Sequence, residues 1–271
     1  MDIKLLILDI DGMIAGKSNH VSETVKQAIQ AVQAKGIQVA LATGRMYNSA
    51  LRFHQAIDSQ LPIVADNGAW IQNRHTGEIH QHLPVSQEAA LQLLEYFEQP
   101  EWRSRLGVHF YLDDQLYVRQ ITPETEIYVK RSGIEAIAVG DLRNILNSAP
   151  TKVLAMSQDT QAIEELGSKL PQHCPRDQLH LTQSTPNYLE ATHAKVNKGS
   201  AISYLAEKIL GYQRENVMAI GDNLNDLEML EYAGKSIAMG NAPVALKNMA
   251  DWVAPDVEED GVAIALDKFL L

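Results

Sequence analysis

Asp9 and Asp11 stand one residue apart at the end of an apolar run, LLILDIDGM at 5–13. Two carboxylates so spaced could hold a hard cation, or divide nucleophilic and proton-transfer work between them. Three further segments end in groups suited to the same chemistry. Thr43, Gly44 and Arg45 close the segment 37–43, Asp66, Asn67 and Gly68 close 62–66, and Asp222, Asn225 and Asp226 follow 216–221. Lys198 opens a helical pattern, where a cation meets the positive end of the helix dipole and is mildly unfavourable unless an anion lies nearby.

These groups need elements that bring them together. IKLLILD (3–9) reads as a buried strand, and SETVKQAIQAVQAKG as a helix capped by Ser22, with Val25, Ala28, Ile29 and Val32 on one face and a stop at Gly36. A strand at 37–43, a helix at 47–57 and a short strand at 62–66 follow. From Asn197 the alternation resumes with a helix at 198–210, a strand at 216–221, a helix through LNDLEMLEYAG, a strand at 235–240 and a last helix near 260–269. Such alternation predicts a parallel sheet with helices on both faces, and ligands at the carboxyl ends of its strands. If those strands are neighbours, four carboxylates face one crevice and require a cation, magnesium being the hard ion that oxygen donors favour.

Between Pro84 and Ser184 the order changes. Helices at 86–99, 123–132, 141–147 and 159–170 are expected among strands at 107–112, 115–119, 135–139, 151–157 and 178–183. This reads as a mixed α+β module, 84–184, inserted into a discontinuous α/β core made of 1–83 and 185–271.

Composition excludes several classes of function. The chain of 271 residues is 45% hydrophobic and 21% charged, and its 23 basic against 34 acidic residues give a net charge of -11. That field disfavours nucleic acid and anionic membranes as partners. Cys174 stands alone and cannot form an internal disulfide; with no leader-like start and no apolar run of spanning length, the expectation is a cytoplasmic protein.

Each motif alone has an ordinary structural explanation. Asp-x-Asp-Gly is often a polar turn, ATGR can be a strand end beside a helix start, and GDNLND can be an acidic helix N-terminus. Their conjunction at four strand ends is much rarer than any one. EF-hand readings fail because Leu224 and Leu227, or Met13 and Ile14, occupy positions that need an oxygen ligand and a glycine. No phosphate loop, GxGxxG, HExxH or CxxC occurs, and His75, His80 and His82 read as exposed residues of a hairpin rather than a zinc site.

In order and spacing, DIDG (9–12), ATGR (42–45), NG (67–68), NKG (197–199) and GDNLND (221–226) resemble the motif set of the haloacid dehalogenase superfamily. More narrowly the chain resembles the Cof-like phosphatases, which carry a large type IIB α/β cap between the second and third motifs. The resemblance covers nearly the whole chain and implies a Rossmann-like core and a magnesium-dependent phosphatase acting on a small phosphorylated metabolite, by default a sugar phosphate. It implies Asp9 as nucleophile and Asp11 as general acid and base. It further implies magnesium at Asp9, the Asp11 carbonyl and Asp222, with Asp226 in support. Thr43, the backbone at Ile10 and Gly44, Lys198 and Asn225 would grip the phosphoryl group, with Arg45 and Asn67 lining the pocket. Met13 departs from the pattern, which usually has threonine there. Alternative readings are a phosphomutase of the same superfamily and a non-catalytic module that keeps a phosphoryl group on Asp9; the protein is expected to be a monomer or homodimer.

Overall fold

The computed structural model describes residues 2–174 and 177–271. The chain forms two compact units, one from its two ends, through Gln81 and again from Asn197, and one from His82–Val196. In chain order the strands are β1 (Leu5–Leu8), β2 (Gln38–Leu41), β3 (Ile63–Ala65), β4 (Trp70–Gln72), β5 (Ile79–His82), β6 (Gly107–Leu112), β7 (Gln115–Val118), β8 (Ala136–Ala138), β9 (Lys152–Met156), β10 (Leu179–Thr182), β11 (Tyr188–His193), β12 (Val217–Gly221), β13 (Lys235–Ala238) and β14 (Trp252–Val253).

The first unit is the expected α/β core. Its parallel sheet runs in the order β14-β13-β12-β1-β2, with Leu8 in register with Ile220 on one side and Leu41 on the other. Side chains alternate across a sheet, and all four residues of β1 are buried because both faces are covered. Leu6 and Leu8 join one apolar cluster with Val25, Ile29 and Val32 of helix Glu23–Ala34 and with Phe53 and Leu266. Leu5 and Ile7 join the opposite cluster with Ile202, Leu205, Leu230 and Leu246. Each such side chain contributes about 1.5–3 kcal/mol by leaving water. Helix Glu23–Ala34 starts where Ser22 Oγ accepts the Val25 N–H at 3.2 Å, relieving one of the unpaired donors of the first turn.

Two expectations about this unit need correction. The strand read at 62–66 does not extend the parallel ladder. β3 touches it only through the Ala42 to Val64 bridge, and pairs antiparallel with β4 in a sheet ordered β3-β4-β5. The cause is the turn between them, where Asp66, Asn67 and Gly68 all have positive φ and reverse the chain at once. The helix read at 198–210 is α-helical only over Lys198–Ser203 and continues as a π-helix over Tyr204–Ile209. Helix Val244–Met249 and β14 are additional elements that the hydrophobic pattern did not reveal.

The second unit is a six-stranded sheet ordered β10-β11-β9-β6-β7-β8, antiparallel except where β7 meets β8. Its boundary falls after Val196 and not at Ser184, because β11 pairs with both β9 and β10 and belongs to this sheet. Helices Gln87–Phe97 and Thr160–Lys169 bury Leu93, Leu94, Ile163 and Leu166 against Phe110, Val153, Ala155 and Ala191 on one face. The other face is polar yet buried. Lys152 Nζ lies 3.4 Å from Glu190 Oε2 and 4.6 Å from the centre of the Tyr111 ring, whose hydroxyl donates to Tyr128 at 2.7 Å. Among the described residues, no helix is long and apolar enough to cross a membrane.

His109, also on that polar face, is fully buried, with Nε2 3.3 Å from Thr125 Oγ1. Burial, reinforced by the Lys152 charge, pushes its imidazole down from 6.5 to about 3. The unfolded chain therefore takes up this proton first, and the stability held above pH 6.5 drains away as pH falls toward 3. His109→Gln, which keeps a polar group for Thr125 but cannot titrate, is expected to flatten that acid limb in urea denaturation across pH 4–7. Equal acid slopes in both proteins would refute the assignment.

Candidate active site

The order β12-β1-β2 sets the carboxyl ends of three parallel strands side by side, with Asp9 in the middle. Asp222 follows β12, Thr43 follows β2, and β3 delivers Asn67 beside Thr43 because Thr43 N–H donates to the Val64 carbonyl at 2.8 Å. Asn67 N–H in turn donates to the Thr43 carbonyl at 2.9 Å, and Asp66 N–H to the Arg45 carbonyl at 2.9 Å. Two of the motifs are thus one stitched loop pair.

Lys198 occupies the centre. Its helix begins where Asn197 Oδ1 accepts the Ser200 N–H at 2.7 Å, and its ammonium, fully buried, lies 2.8 Å from Asp9 Oδ2 and 2.6 Å from Asp226 Oδ1. Gly68 makes this approach feasible: at φ +102° a Cβ there would lie 2.7 Å from the Ala201 side chain and 2.9 Å from the Asn197 carbonyl. Burial alone would lower the Lys198 ammonium's pKa, but Asp226 and Asp9 more than offset it and the net shift is upward.

The carboxylates divide into three roles. Asp226 is saturated: Oδ1 takes Lys198 Nζ, and Oδ2 accepts the backbone N–H groups of Asp222 at 2.8 Å and Asn223 at 3.1 Å. Asp9 Oδ1 accepts the Ile10 N–H at 2.7 Å. Asp222 receives Asn241 Nδ2 at 3.1 Å. Both Asp9 and Asp222 are pushed well above the ordinary carboxylate range, chiefly by burial; nearby Asp226 adds to this in both, whereas Lys198 opposes it.

Oxygens of Asp9, Asp222 and Asp226 all lie within 4.8 Å of one another, a grouping that could hold a metal ion. Three carboxylates against one ammonium leave an excess of two formal negative charges. An oxygen-only donor set with that excess fits a hard divalent cation. Asp226, with both oxygens engaged, also fixes the loop after β12 through the backbone of Asp222 and Asn223. Gly12 closes the other side. At φ +71° a Cβ there would fall 2.0 Å from Asp222 Oδ2.

Arg45 grips Asp11. Its Nε and one terminal nitrogen donate to the two carboxylate oxygens at 2.6 and 2.7 Å, a bidentate pair that fixes the side chain's orientation. Asn19 Oδ1 at 2.8 Å, Ser49 Oγ at 3.3 Å and the Phe53 ring, 4.7 Å from the guanidinium carbon, hold Arg45 in turn. Asn225 is buried and donates to Asn67 Oδ1 at 3.1 Å, while its own Oδ1 has no hydrogen-bond partner. Thr43 Oγ1 accepts the Arg45 N–H at 3.1 Å. Met13 packs into the core, 1% exposed.

Sequence reasoning missed Asn19, Ser49 and Asn241. Asn241 had a signal: it follows the carboxyl end of β13, a core strand end not collected with the others. His75 and His82 are not gathered on an ion; His75 Nε2 is 3.3 Å from the Ser59 carbonyl and His82 Nε2 3.0 Å from Thr151 Oγ1.

Acidic groups surround a buried lysine at the carboxyl edge of a parallel α/β sheet, a cluster that could hold a divalent cation. The chain belongs to the haloacid dehalogenase-like hydrolase family, whose model matches residues 6–266, and within it to the Cof-like phosphatases. It is 30% identical to the 5-amino-6-(5-phospho-D-ribitylamino)uracil phosphatase YitU of Bacillus subtilis, over 98% of this chain and 97% of that protein. Its fold matches a haloacid dehalogenase-like hydrolase from B. subtilis with a TM-score of 0.85 at 25% identity, covering 99% of this chain and 100% of the other. It also matches the fold of the subclass IIB sugar phosphatase BT4131, with a TM-score of 0.83 at 23% identity over 98% of each chain. The protein is a phosphatase-type hydrolase of a family that generally uses a divalent metal.

Removing the central cation is the sharpest test of this electrostatic arrangement. Lys198→Met leaves Asp9 and Asp226 buried without their partner, and a loss of about 3–5 kcal/mol is expected in metal-free protein at pH 8, measured by urea denaturation. The stranded carboxylates can regain a proton as pH falls, which raises their folded pKa further, so the loss is expected to shrink at pH 5. A variant as stable as the parent at pH 8 would contradict the picture.

Proposed function

We propose that this protein is a magnesium-dependent phosphatase that hydrolyses a small phosphorylated metabolite through an aspartyl-phosphate on Asp9. The observation that carries the reading is the position of Asp9: beside Lys198, at the carboxyl end of β1, which lies between β12 and β2. Asp9 attacks phosphorus through a carboxylate oxygen while the bond to the leaving oxygen breaks, and Asp11 gives that oxygen a proton. Asp11 then takes a proton from water as the water attacks the acyl phosphate, which frees phosphate and regenerates Asp9. Magnesium held by Asp9, the Asp11 carbonyl and Asp222 would supply charge neutralisation for the phosphoryl oxygens. Lys198 meets the same charge, and Thr43, Gly44, the backbone at Ile10, and Asn225 hold the phosphoryl group in line. Arg45, which holds both Asp11 oxygens in the structure, releases at least one of them for Asp11 to carry the proton, and Asn67 sets the Asn225 amide.

The second unit contains none of these groups and serves, on this reading, as a cap that selects the leaving group. The relative YitU acts, by its name, on a phosphorylated ribityl compound. A sugar phosphate or sugar-like polyol phosphate is accordingly the substrate class proposed here.

Release of phosphate from a panel of phosphorylated metabolites, with magnesium present and then chelated, tests the reading. Activity that survives complete metal removal would sink the metal assignment. An isomerised sugar phosphate in place of free phosphate would make the protein a mutase. Asp9→Asn is expected to abolish acid-stable incorporation of labelled phosphate, whereas Asp11→Asn is expected to lose about 10²–10⁴-fold in turnover of an alkyl phosphate and far less with an activated aryl phosphate. Equal losses on both esters would remove Asp11 from the role of general acid.

A further inference from the structure

Asn241 joins three segments beside the site. Its Nδ2 donates to the Gly12 carbonyl at 2.9 Å and to Asp222 Oδ2 at 3.1 Å, while its Oδ1 accepts the Val257 N–H at 3.2 Å. The loop after Asp9 and Asp11, the carboxylate after β12 and the turn before the last helix are therefore tied to one amide.

The position of Asp222 needs such a tie. Asp222 follows a strand end, and its backbone is held by the Asp226 carboxylate. The side chain reaches within 2.0 Å of where a Cβ on Gly12 would stand, so the Gly12 loop and the Asp222 carboxylate occupy adjoining space and must keep their spacing. A donor on Oδ2 restrains that carboxylate in one rotamer.

From this geometry we propose that Asn241 is a positioning residue for the divalent cation, acting by orienting Asp222 through its Nδ2. The inference rests on the cation reading of the site and extends it to a residue outside the four strand ends that first drew attention. Asn241 is itself exposed, so water replaces its amide in part when it is removed. Loss of a group that orients a metal ligand typically weakens metal affinity 10–100-fold, and the exposure puts the expectation near tenfold.

The test measures binding of manganese(II), by the fall in the free-ion paramagnetic resonance signal, and of magnesium by calorimetry, in full-length protein without substrate. Asn241→Ala and Asn241→Leu remove the donor in two ways, one admitting water and one excluding it. Val257→Pro is the control: it deletes only the N–H that Asn241 Oδ1 accepts, at a first helical position whose preceding residue, Asp256, is already extended. The expected result is a dissociation constant about tenfold higher in Asn241→Ala, higher again in Asn241→Leu, unchanged in Val257→Pro, and a thermal midpoint of the metal-free proteins within a few degrees of the parent. Parental affinity in a folded Asn241 variant would overturn the inference alone. An equal loss in Val257→Pro would also overturn it, by showing that the turn and not the Nδ2 contact matters. A parent protein that binds neither ion would overturn the cation reading and this inference with it.

Discussion

The buried ammonium of Lys198, shared between Asp9 and Asp226, is the constraint on which the rest of the first unit depends. A lysine without exposure is tolerated only where opposite charge meets it at close range, since the desolvation of an isolated ion costs several kcal/mol. The two carboxylates come from loops that follow different strands, β1 and β12, so the pairing fixes those strand ends against each other and against the helix that starts at Lys198. Asp226 extends the constraint by accepting the amides of Asp222 and Asn223, which gives the loop after β12 its shape. A charge triad therefore does here what a glycine-rich turn does in other α/β sheets: it holds backbone and side chains at a strand end in one arrangement.

The residues that bear this chemistry were legible because the sheet is parallel. In such a sheet every carboxyl end points to the same edge, so reading where apolar runs stop is enough to gather Asp9, Thr43, Asp222 and Asp226. What the sequence did not disclose is which groups are already committed to each other. Arg45 follows Thr43 by two residues, and nothing in that spacing reveals that its guanidinium turns onto Asp11 rather than toward a ligand. Asn241 escaped notice because it stands at a fifth strand end whose neighbours, Gly240 and Ala242, carry no charge to draw attention.

The same reasoning explains the boundary error at Ser184. The segment Tyr188–His193 alternates, yet its polar members are not in water: Glu190 and Thr192 are 4% and 0% exposed. A half-buried strand is recognised by polar residues that face solvent, and Glu190 faces Lys152 instead. The antiparallel pairing of β3 with β4 was hidden for a related reason. Its three apolar residues are as buried as those of β1, but pairing partners are set by the Asp66-Asn67-Gly68 reversal, and burial alone carries no information about register.

The site's charge and the fold's stability pull in opposite directions. Three carboxylates facing one ammonium leave a repulsive excess that the folded chain must hold in place, and a divalent cation that binds only the folded form returns stability as it fills the site, by about 2.7 kcal/mol at a hundredfold excess over its dissociation constant. Before any ion binds, the excess is carried by burial: β1 is enclosed on both faces and both edges, and its four aliphatic residues are fully withdrawn from water. An edge strand such as β14, two residues long and partly exposed, has no comparable reserve. Asp9 therefore follows a strand with full apolar support, where a like-charged cluster can be kept in place without an ion.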